Sequence, residues 1–85
     1  MKVEVLFFAS FKEQLDCSRL SIDLASGDHV SELCELLSQR GPEWLELFGN
    51  PANMVKVSVN QEMAEFNKKL NEGDEVAFFP PVTGG

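Results

Sequence analysis

The sequence predicts an α+β fold, a roll in which a mixed sheet of four to five strands carries one main helix on one face. Three observations predict it: several short segments alternate apolar and polar residues, one longer segment has helical spacing, and the 85 residues leave room for one domain. The order is two strands, a helix and three further strand segments. In such a roll the first and last strands can lie side by side and parallel at the centre of the sheet.

The first two strands are predicted from their alternation. Residues 3–9 place on one face Val3, Val5 and Phe7, and on the other face Glu4, Leu6 and Phe8. Residues 10–15 have the length of one short helical turn. Residues 19–24 alternate again, with apolar Leu20, Ile22 and Leu24. This second strand is therefore expected to pair with the first as a hairpin.

The main helix is predicted over residues 30–40. Its apolar positions follow the i, i+3, i+4, i+7 spacing of an amphipathic helix: Val30, Leu33, Cys34 and Leu37. Asp28 is the expected N-cap, and Gly41 followed by Pro42 is a stop signal. Residues 43–48 are then expected to form a second short helix that buries Trp44, Leu45 or Phe48.

The remaining strands lie in the second half of the chain. A third strand is predicted from the alternation of Val55, Val57 and Val59. Asn60 and Gln61 are expected to form a turn into a short strand near residues 63–65. Leu70 is expected to enter the core from a polar segment, and residues 74–79 form the final strand.

The charge balance excludes one class of partner. The chain has 7 basic and 14 acidic residues, a net charge of −7, whereas nucleic-acid binding needs a basic stripe. An acidic body suits a partner with a basic docking face, although solubility alone would also explain the charge. No apolar segment approaches the ~20 residues of a membrane helix, and no charged-then-apolar leader begins the chain. We therefore expect a cytoplasmic protein without nucleic-acid or membrane partners.

Neither cysteine is expected to carry chemistry. Cys17 and Cys34 are far apart and form no C-x-x-C motif, so they indicate neither a zinc site nor a disulfide framework. Cys34 is predicted to be a core residue, and Cys17 falls in a turn. His29 has no second histidine or cysteine nearby, which favours a surface histidine at a helix start. No metal site is expected.

The alternation also predicts an apolar surface on the sheet face away from the helix. If Phe7 and Phe78 face the helix, Phe8 and Phe79 face away from it, and Met63 could join them. An exposed apolar patch near the end of the chain is typical of a docking surface. The alternative is that the second short helix or a loop covers these side chains.

The chain ends in a segment suited to leave the domain. Pro80 and Pro81 have no N–H for a sheet and favour an extended exit, which predicts a domain over residues 1–79 and an extended tail over residues 80–85. From Pro81 the chain can reach roughly 15 Å, and its glycines could thread a narrow channel. A frayed end is the common alternative. The Gly85 carboxylate is anionic near neutral pH and can attack the α-phosphorus of ATP, so it is a handle for activation.

The tail and two further segments resemble those of a known protein family. Residues 73–85, GDEVAFFPPVTGG, resemble the C-terminal signature of the molybdopterin synthase small subunits, sulfur carriers of the ubiquitin-like β-grasp group. The segments VLFFA at residues 5–9 and VNQ at residues 59–61 resemble the family at corresponding places. The resemblance therefore covers the whole chain and implies a β-grasp domain over residues 1–79.

The resemblance also implies a reaction sequence. An adenylating partner similar to ubiquitin-activating enzymes would use ATP and Mg²⁺ on Gly85, and a sulfur donor would convert the adenylate into a thiocarboxylate. The tail would then enter the large catalytic subunit of molybdopterin synthase, in a heterotetramer, and give sulfur to the cyclic pterin precursor of the molybdenum cofactor. Gly85 and Gly84 are the reactive tip, and no cofactor is bound permanently. The expected partner-binding residues are Phe8, Met63, Phe79, Pro80, Pro81, Val82 and Thr83.

Three other functions stay open. A thiamine-pathway sulfur carrier would share the fold, the Gly-Gly end and the activation. A ubiquitin-like modifier would be joined to lysines, and a plain binding domain would have an inert tail. Nothing in the sequence resembles a Gly-rich phosphate loop or a Ser/His/Asp set, so we expect no active site within the chain itself.

Overall fold

The structure is a computed structural model that describes residues 1–25, 27–49 and 55–80. Its strands are β1 (Lys2–Phe7), β2 (Arg19–Asp23), β3 (Lys56–Val59), β4 (Glu62–Ala64) and β5 (Glu75–Phe79). Its helices are α1 (Ser10–Leu15), α2 (Val30–Ser38) and α3 (Pro42–Phe48). In these described ranges no helix has both the length and the apolar character needed to cross a membrane.

The strands form one five-stranded mixed sheet in the order β2-β1-β5-β3-β4. β1 and β5 pair in parallel, with Val5 opposite Val76 and Phe7 opposite Phe78. The β1–β2, β3–β5 and β3–β4 pairs are antiparallel. The predicted α+β roll, its hairpin and its parallel pairing of the first and last strands are therefore confirmed.

The core lies between the sheet and the helices. α2 contributes its apolar stripe, in which Val30, Leu33 and Leu37 are fully buried and Cys34 nearly so. The inward positions of the strands complete the core: Val3, Val5, Phe7, Val57, Val59, Val76 and Phe78. Leu70 is buried as predicted. Helical spacing on α2 and alternation on the strands thus meet in one apolar layer.

Aromatic rings link α1 and α3 to the C-terminal ends of β1 and β5. The ring of Phe48 lies edge-on to that of Phe78, with centroids 5.0 Å apart. The Trp44 ring meets the Phe7 ring at 5.4 Å, and Phe11 approaches Phe48 at 6.4 Å. These contacts fix the end of the sheet from which the tail departs.

The second short helix buries a different set of side chains from the one expected. Trp44 and Phe48 are partly buried against the core, but Leu45 is 57% exposed and Leu47 is the α3 residue that is fully inside. Two residues along a helix turn the side-chain direction by about 200°, so Leu45 is exposed when Leu47 faces the core.

Several element ends differ by one or two residues from the sequence prediction. β1 stops at Phe7 because Ala9 has a positive φ of 57° and turns the chain into α1. α2 ends at Ser38, two residues early. Its N-cap is His29, so the prediction of Asp28 is wrong. The reason is Glu32, whose carboxylate reaches back and accepts the N–H groups of Asp28 and His29 at 3.0 Å each.

The β3–β4 hairpin turns through two residues in the left-handed region, Asn60 (φ 52°) and Gln61 (φ 70°). Asn60 suits that conformation, and its side chain also bonds Asp74 and the Glu75 N–H at 3.0 Å each. Those bonds attach the hairpin to the start of β5. β4 is therefore held in place although it is short and lies at the edge of the sheet.

Candidate functional site

The sheet face away from the helices presents apolar side chains at its centre. Leu6 pairs with Ala77 across the parallel strands, and both point away from the core. Phe8 follows β1 directly, and its N–H donates to the Phe78 carbonyl at 3.2 Å. This hydrogen bond continues the pairing of β1 with β5 by one residue and places Phe8 beside Phe79. Phe8 is 49% exposed. The predicted directions of Phe8 and Phe79 are therefore confirmed.

Met63 lies on the same face. It is paired with Ser58, which is paired in turn with Ala77 on β5, so these side chains form one row across the sheet. Met63 is 64% exposed, the most exposed of the large hydrophobic side chains described. Two strand spacings, about 10 Å, separate it from β5. Met63 thus extends the patch rather than contacting Phe8. We call the set Leu6, Phe8, Met63, Ala77 and Phe79 the sheet surface.

Phe79 is half-buried, which differs from the expectation of an exposed ring. It lies on β5, the middle strand of the sheet, and is flanked by Lys56 on β3 and by Phe8 beyond β1. Neighbours on both sides cover a ring that would be open on an edge strand. The exposed aromatic of this pair is therefore Phe8.

The second short helix does not cover the sheet surface. α3 sends Trp44 and Phe48 to Phe7 and Phe78, whose side chains point to the opposite face of the sheet. Among the described residues, the alternative of coverage by this helix is thus excluded. Phe8 and Met63 stay accessible.

A polar cluster borders the sheet surface on the β2 side. The Glu4 carboxylate accepts hydrogen bonds from the Arg19 guanidinium at 3.1 and 3.2 Å and from the Ser21 hydroxyl. The hydrogen bond from Ser21 is the main cause, and the bonds from Arg19 the second cause, of a pKa of Glu4 below its usual value. On the other side Lys56 lies opposite Phe79. An apolar centre with a charged rim is the usual composition of a protein–protein interface.

The tail itself is mostly outside the described residues. Pro80 is half-buried directly after β5. The other predicted tail residues, Pro81, Val82, Thr83, Gly84 and Gly85, lie outside the described ranges. The domain boundary at residue 79 and the role of the terminal glycines therefore stay predictions.

The cysteines are placed as predicted. Cys34 is buried, and that burial raises the pKa of its thiol to about 12, so it is a core residue and a poor nucleophile. Cys17 is half-buried between α1 and β2, with its sulfur 3.5 Å from the Arg19 carbonyl oxygen.

His29 has partners that the sequence reasoning missed. Its Nδ1 lies 2.9 Å from Asp28 and 3.1 Å from Glu32, and the ligand-type atoms of the three residues lie within 4.8 Å of one another. Lys69 adds a positive charge 3.6 Å from Asp28. The Glu32 carboxylate accepts the N–H groups of His29 and Asp28, directly before α2, and these bonds lower its pKa. Helix capping accounts for this cluster, and the i, i+3 spacing of His29 and Glu32 is the signal that could have found it.

The architecture places the protein in a class. A mixed sheet with its first and last strands parallel at the centre, and one main helix across one face, is the β-grasp fold of ubiquitin-like proteins. The chain belongs to the ThiS family, whose model matches residues 5–85.

Two relatives match the chain over nearly its full length. It is 36% identical to the molybdopterin synthase sulfur carrier subunit of Haemophilus influenzae, over 98% of this chain and 99% of that one. It is 35% identical to the same subunit of Mycobacterium tuberculosis, over 100% and 99%.

Two solved structures have the same fold. Small archaeal modifier protein 1 of Haloferax volcanii superposes with a TM-score of 0.81 at 27% identity, with both chains fully covered. The complex of subunits 1 and 2 of the molybdopterin-converting factor from Helicobacter pylori contains a chain that matches with a TM-score of 0.69 at 29% identity, again with both chains fully covered.

Proposed function

We propose that this chain is the sulfur carrier subunit of a molybdopterin synthase, with sulfur carried on the carboxyl group of Gly85. The observation that carries the proposal is the full-length similarity to curated sulfur carrier subunits, which extends through the terminal glycines. The apolar sheet surface with its charged rim supports a carrier that docks onto larger proteins. The buried Cys34 thiol supports placing the sulfur elsewhere than on that cysteine.

The loading step uses the terminal carboxylate. A carboxylate oxygen of Gly85 attacks the α-phosphorus of ATP, and pyrophosphate leaves, so the product is an acyl-adenylate. A sulfur nucleophile then attacks the acyl carbon and displaces AMP, which leaves a thiocarboxylate once the donor's remaining bond to that sulfur is reductively cleaved. The activating partner supplies the ATP site and the Mg²⁺ that balances the phosphate charge. A sulfur donor enzyme supplies the sulfur and its reductant.

The delivery step takes place in the large subunit. The five residues after Pro80 can span at most about 17 Å, so Gly85 can enter a deep site while the domain stays outside. In the Helicobacter pylori structure, subunit 1 of the molybdopterin-converting factor is in complex with subunit 2. We propose that this chain binds a corresponding large subunit. Each dithiolene needs two sulfur atoms, so two loaded carriers or two rounds of loading are needed for each precursor. A heterotetramer with two carriers is consistent with that need.

The sheet surface is the proposed contact with both the activating enzyme and the large subunit. Phe8 and Met63 have the exposure that a partner could cover, and Phe79 joins the patch to Pro80 at the base of the tail. Docking through these residues would direct the tail toward the partner's active site. Pro81, Val82 and Thr83 would line the channel on the way.

Reconstitution tests the proposal. The chain, an activating enzyme, ATP, Mg²⁺, a sulfur donor and a large subunit are mixed with cyclic pterin precursor, and dithiolene formation is measured. A chain without Gly85 should form none, and a chain extended by one alanine beyond Gly85 should form little, because its carboxylate is displaced and has a Cβ beside it. Dithiolene formation at the wild-type rate by either variant would refute the role of Gly85.

A second candidate function is a protein modifier. It is favoured by the similarity to small archaeal modifier protein 1, at a TM-score of 0.81. A modifier would transfer its Gly85 acyl group to a lysine amine and form an isopeptide bond. Mass spectrometry of tryptic peptides separates the two functions, because a modifier leaves its C-terminal residues on target lysines, whereas a carrier does not.

A further inference from the structure

An apolar groove lies between α2 and α3, on the side of the domain opposite the sheet surface. Cys34, Leu47 and Phe48 form its floor, and Leu45 and Phe66 stand at its rim. We call it the helix-side groove. Its volume is about 520 Å³, within the usual range for sites that bury a ligand or several side chains.

Two exposed apolar side chains stand at the rim of the groove. Leu45 is 57% exposed and Phe66 is 42% exposed. Phe66 is held against α2 by its carbonyl, which accepts the Ser31 N–H at 2.8 Å. Large apolar side chains fixed at the rim of an apolar depression present a surface that water solvates poorly and that a partner would cover.

The two helices that flank this groove carry an excess of acid. Arg40, in the turn between them, is a basic residue of this region, and its guanidinium lies over the Trp44 ring, 4.9 Å from the ring centroid. The segments that form α2 and α3 contain no Lys or Arg. They contain four acidic residues: Glu32, Glu35, Glu43 and Glu46. Glu35 lines the groove itself.

The sheet face away from the helices, by comparison, carries equal numbers of basic and acidic side chains. The outward positions of its strands hold three basic and three acidic residues: Lys2, Arg19 and Lys56, and Glu4, Asp23 and Glu75. Their charges sum to zero, 3 − 3, so the excess of acid lies on other parts of the chain, and the two helices hold four of those acids. A cationic partner is therefore attracted to the helix side rather than to the sheet surface.

We propose that the helix-side groove binds a cationic amphipathic helix of a partner protein. The apolar face of such a helix would cover Leu45 and Phe66, and its Lys and Arg side chains would meet Glu35. A small-molecule site would need polar groups that converge from several walls, whereas Glu35, Ser31 and Ser38 all belong to α2. Because the groove and the sheet surface lie on opposite faces, both can be occupied at once. The proposal does not depend on sulfur chemistry at Gly85.

A peptide titration tests it with the whole chain. The probe is a synthetic helix of about 14 residues with leucine on one face and lysine on the other, added to the ¹⁵N-labelled chain while amide shifts are recorded. The largest shifts should fall on α2, α3 and Phe66. A control peptide with glutamate in place of lysine should bind far more weakly.

Matched variants locate the binding site. Leu45→Ser should weaken the lysine peptide about tenfold or more, because a buried leucine contributes that much to binding. Leu36→Ser is the control, since Leu36 is an exposed leucine of α2 outside the groove, and its variant should bind as the wild type does. Thermal melts verify that both variants are folded. Equal affinity of the two variants, equal binding of the glutamate peptide, or shifts centred on Phe8 and Met63 would each overturn the proposal.

Discussion

Replacing Phe8 by serine should weaken docking of the large synthase subunit without unfolding the domain. The side chain is 49% exposed and lies outside the buried core. A phenylalanine offers ~200 Å² of surface, so about half of it, ~100 Å², is available for a partner to cover. At ~25 cal/mol per Å² the loss is about 2.5 kcal/mol. This corresponds to a rise in Kd of about 70-fold if the partner covers the ring completely.

Isothermal titration of the large subunit with each carrier variant measures the effect. Leu36→Ser is the control, because Leu36 is an apolar side chain of comparable exposure, 38%, on a helix of the opposite face. Its Kd should equal that of the wild type. If Phe8→Ser binds as tightly as the wild type, or if Leu36→Ser loses as much affinity, the sheet surface is not the docking site.

Three further predictions concern the domain itself. Glu32→Gln should lower the Tm near neutral pH, because the N–H groups of His29 and Asp28 hold the pKa of Glu32 in the folded chain below its ordinary 4.5. The difference in Tm between variant and wild type should be largest above about pH 4.5. It should disappear as the pH falls through the pKa that Glu32 has in the folded chain. Gln61→Gly should raise the free energy of unfolding in urea by about 0.5–1 kcal/mol, since Gln61 has a φ of 70° that glycine adopts without strain. A lower urea midpoint for the variant than for the wild type would contradict the turn geometry. At pH 8 a thiol reagent should titrate Cys17 rapidly and Cys34 slowly, because burial raises the pKa of Cys34 to about 12; two equally fast thiols would contradict its burial.

The sequence was sufficient for the features set by periodicity. The spacing of Val30, Leu33 and Leu37 predicts α2 and its buried face, and the alternation around Phe7 and Phe8 predicts which side chains leave the core. Both patterns are local consequences of backbone geometry, so no knowledge of the partners in the fold is needed. The parallel pairing of β1 with β5 is an arrangement that the order of the elements allows, and the structure has it.

Features set by tertiary packing could not be predicted in the same way. Leu45 and Leu47 are equally apolar and two residues apart, and the packing of α3 against the rest of the domain decides that Leu47 is the buried one. Phe79 is half-buried because β5 lies in the middle of the sheet, which alternation does not reveal. The helix-side groove depends on how α2, α3 and Phe66 come together from distant parts of the chain. The N-cap at His29 depends on the Glu32 carboxylate, which reaches back to the N–H groups of Asp28 and His29, and residue type alone does not reveal that contact.

The most direct test of a sulfur carrier is the intact mass of the chain after reaction with its activating enzyme, ATP and a sulfur donor. Exchange of one oxygen for sulfur should add about 16 Da to the intact chain, and fragmentation should place that mass on Gly85. The shift should disappear in a chain without Gly85 and persist when Cys17 is replaced by serine. A chain that keeps its original mass after activation, or that carries the added mass on Cys17, would contradict the proposed function.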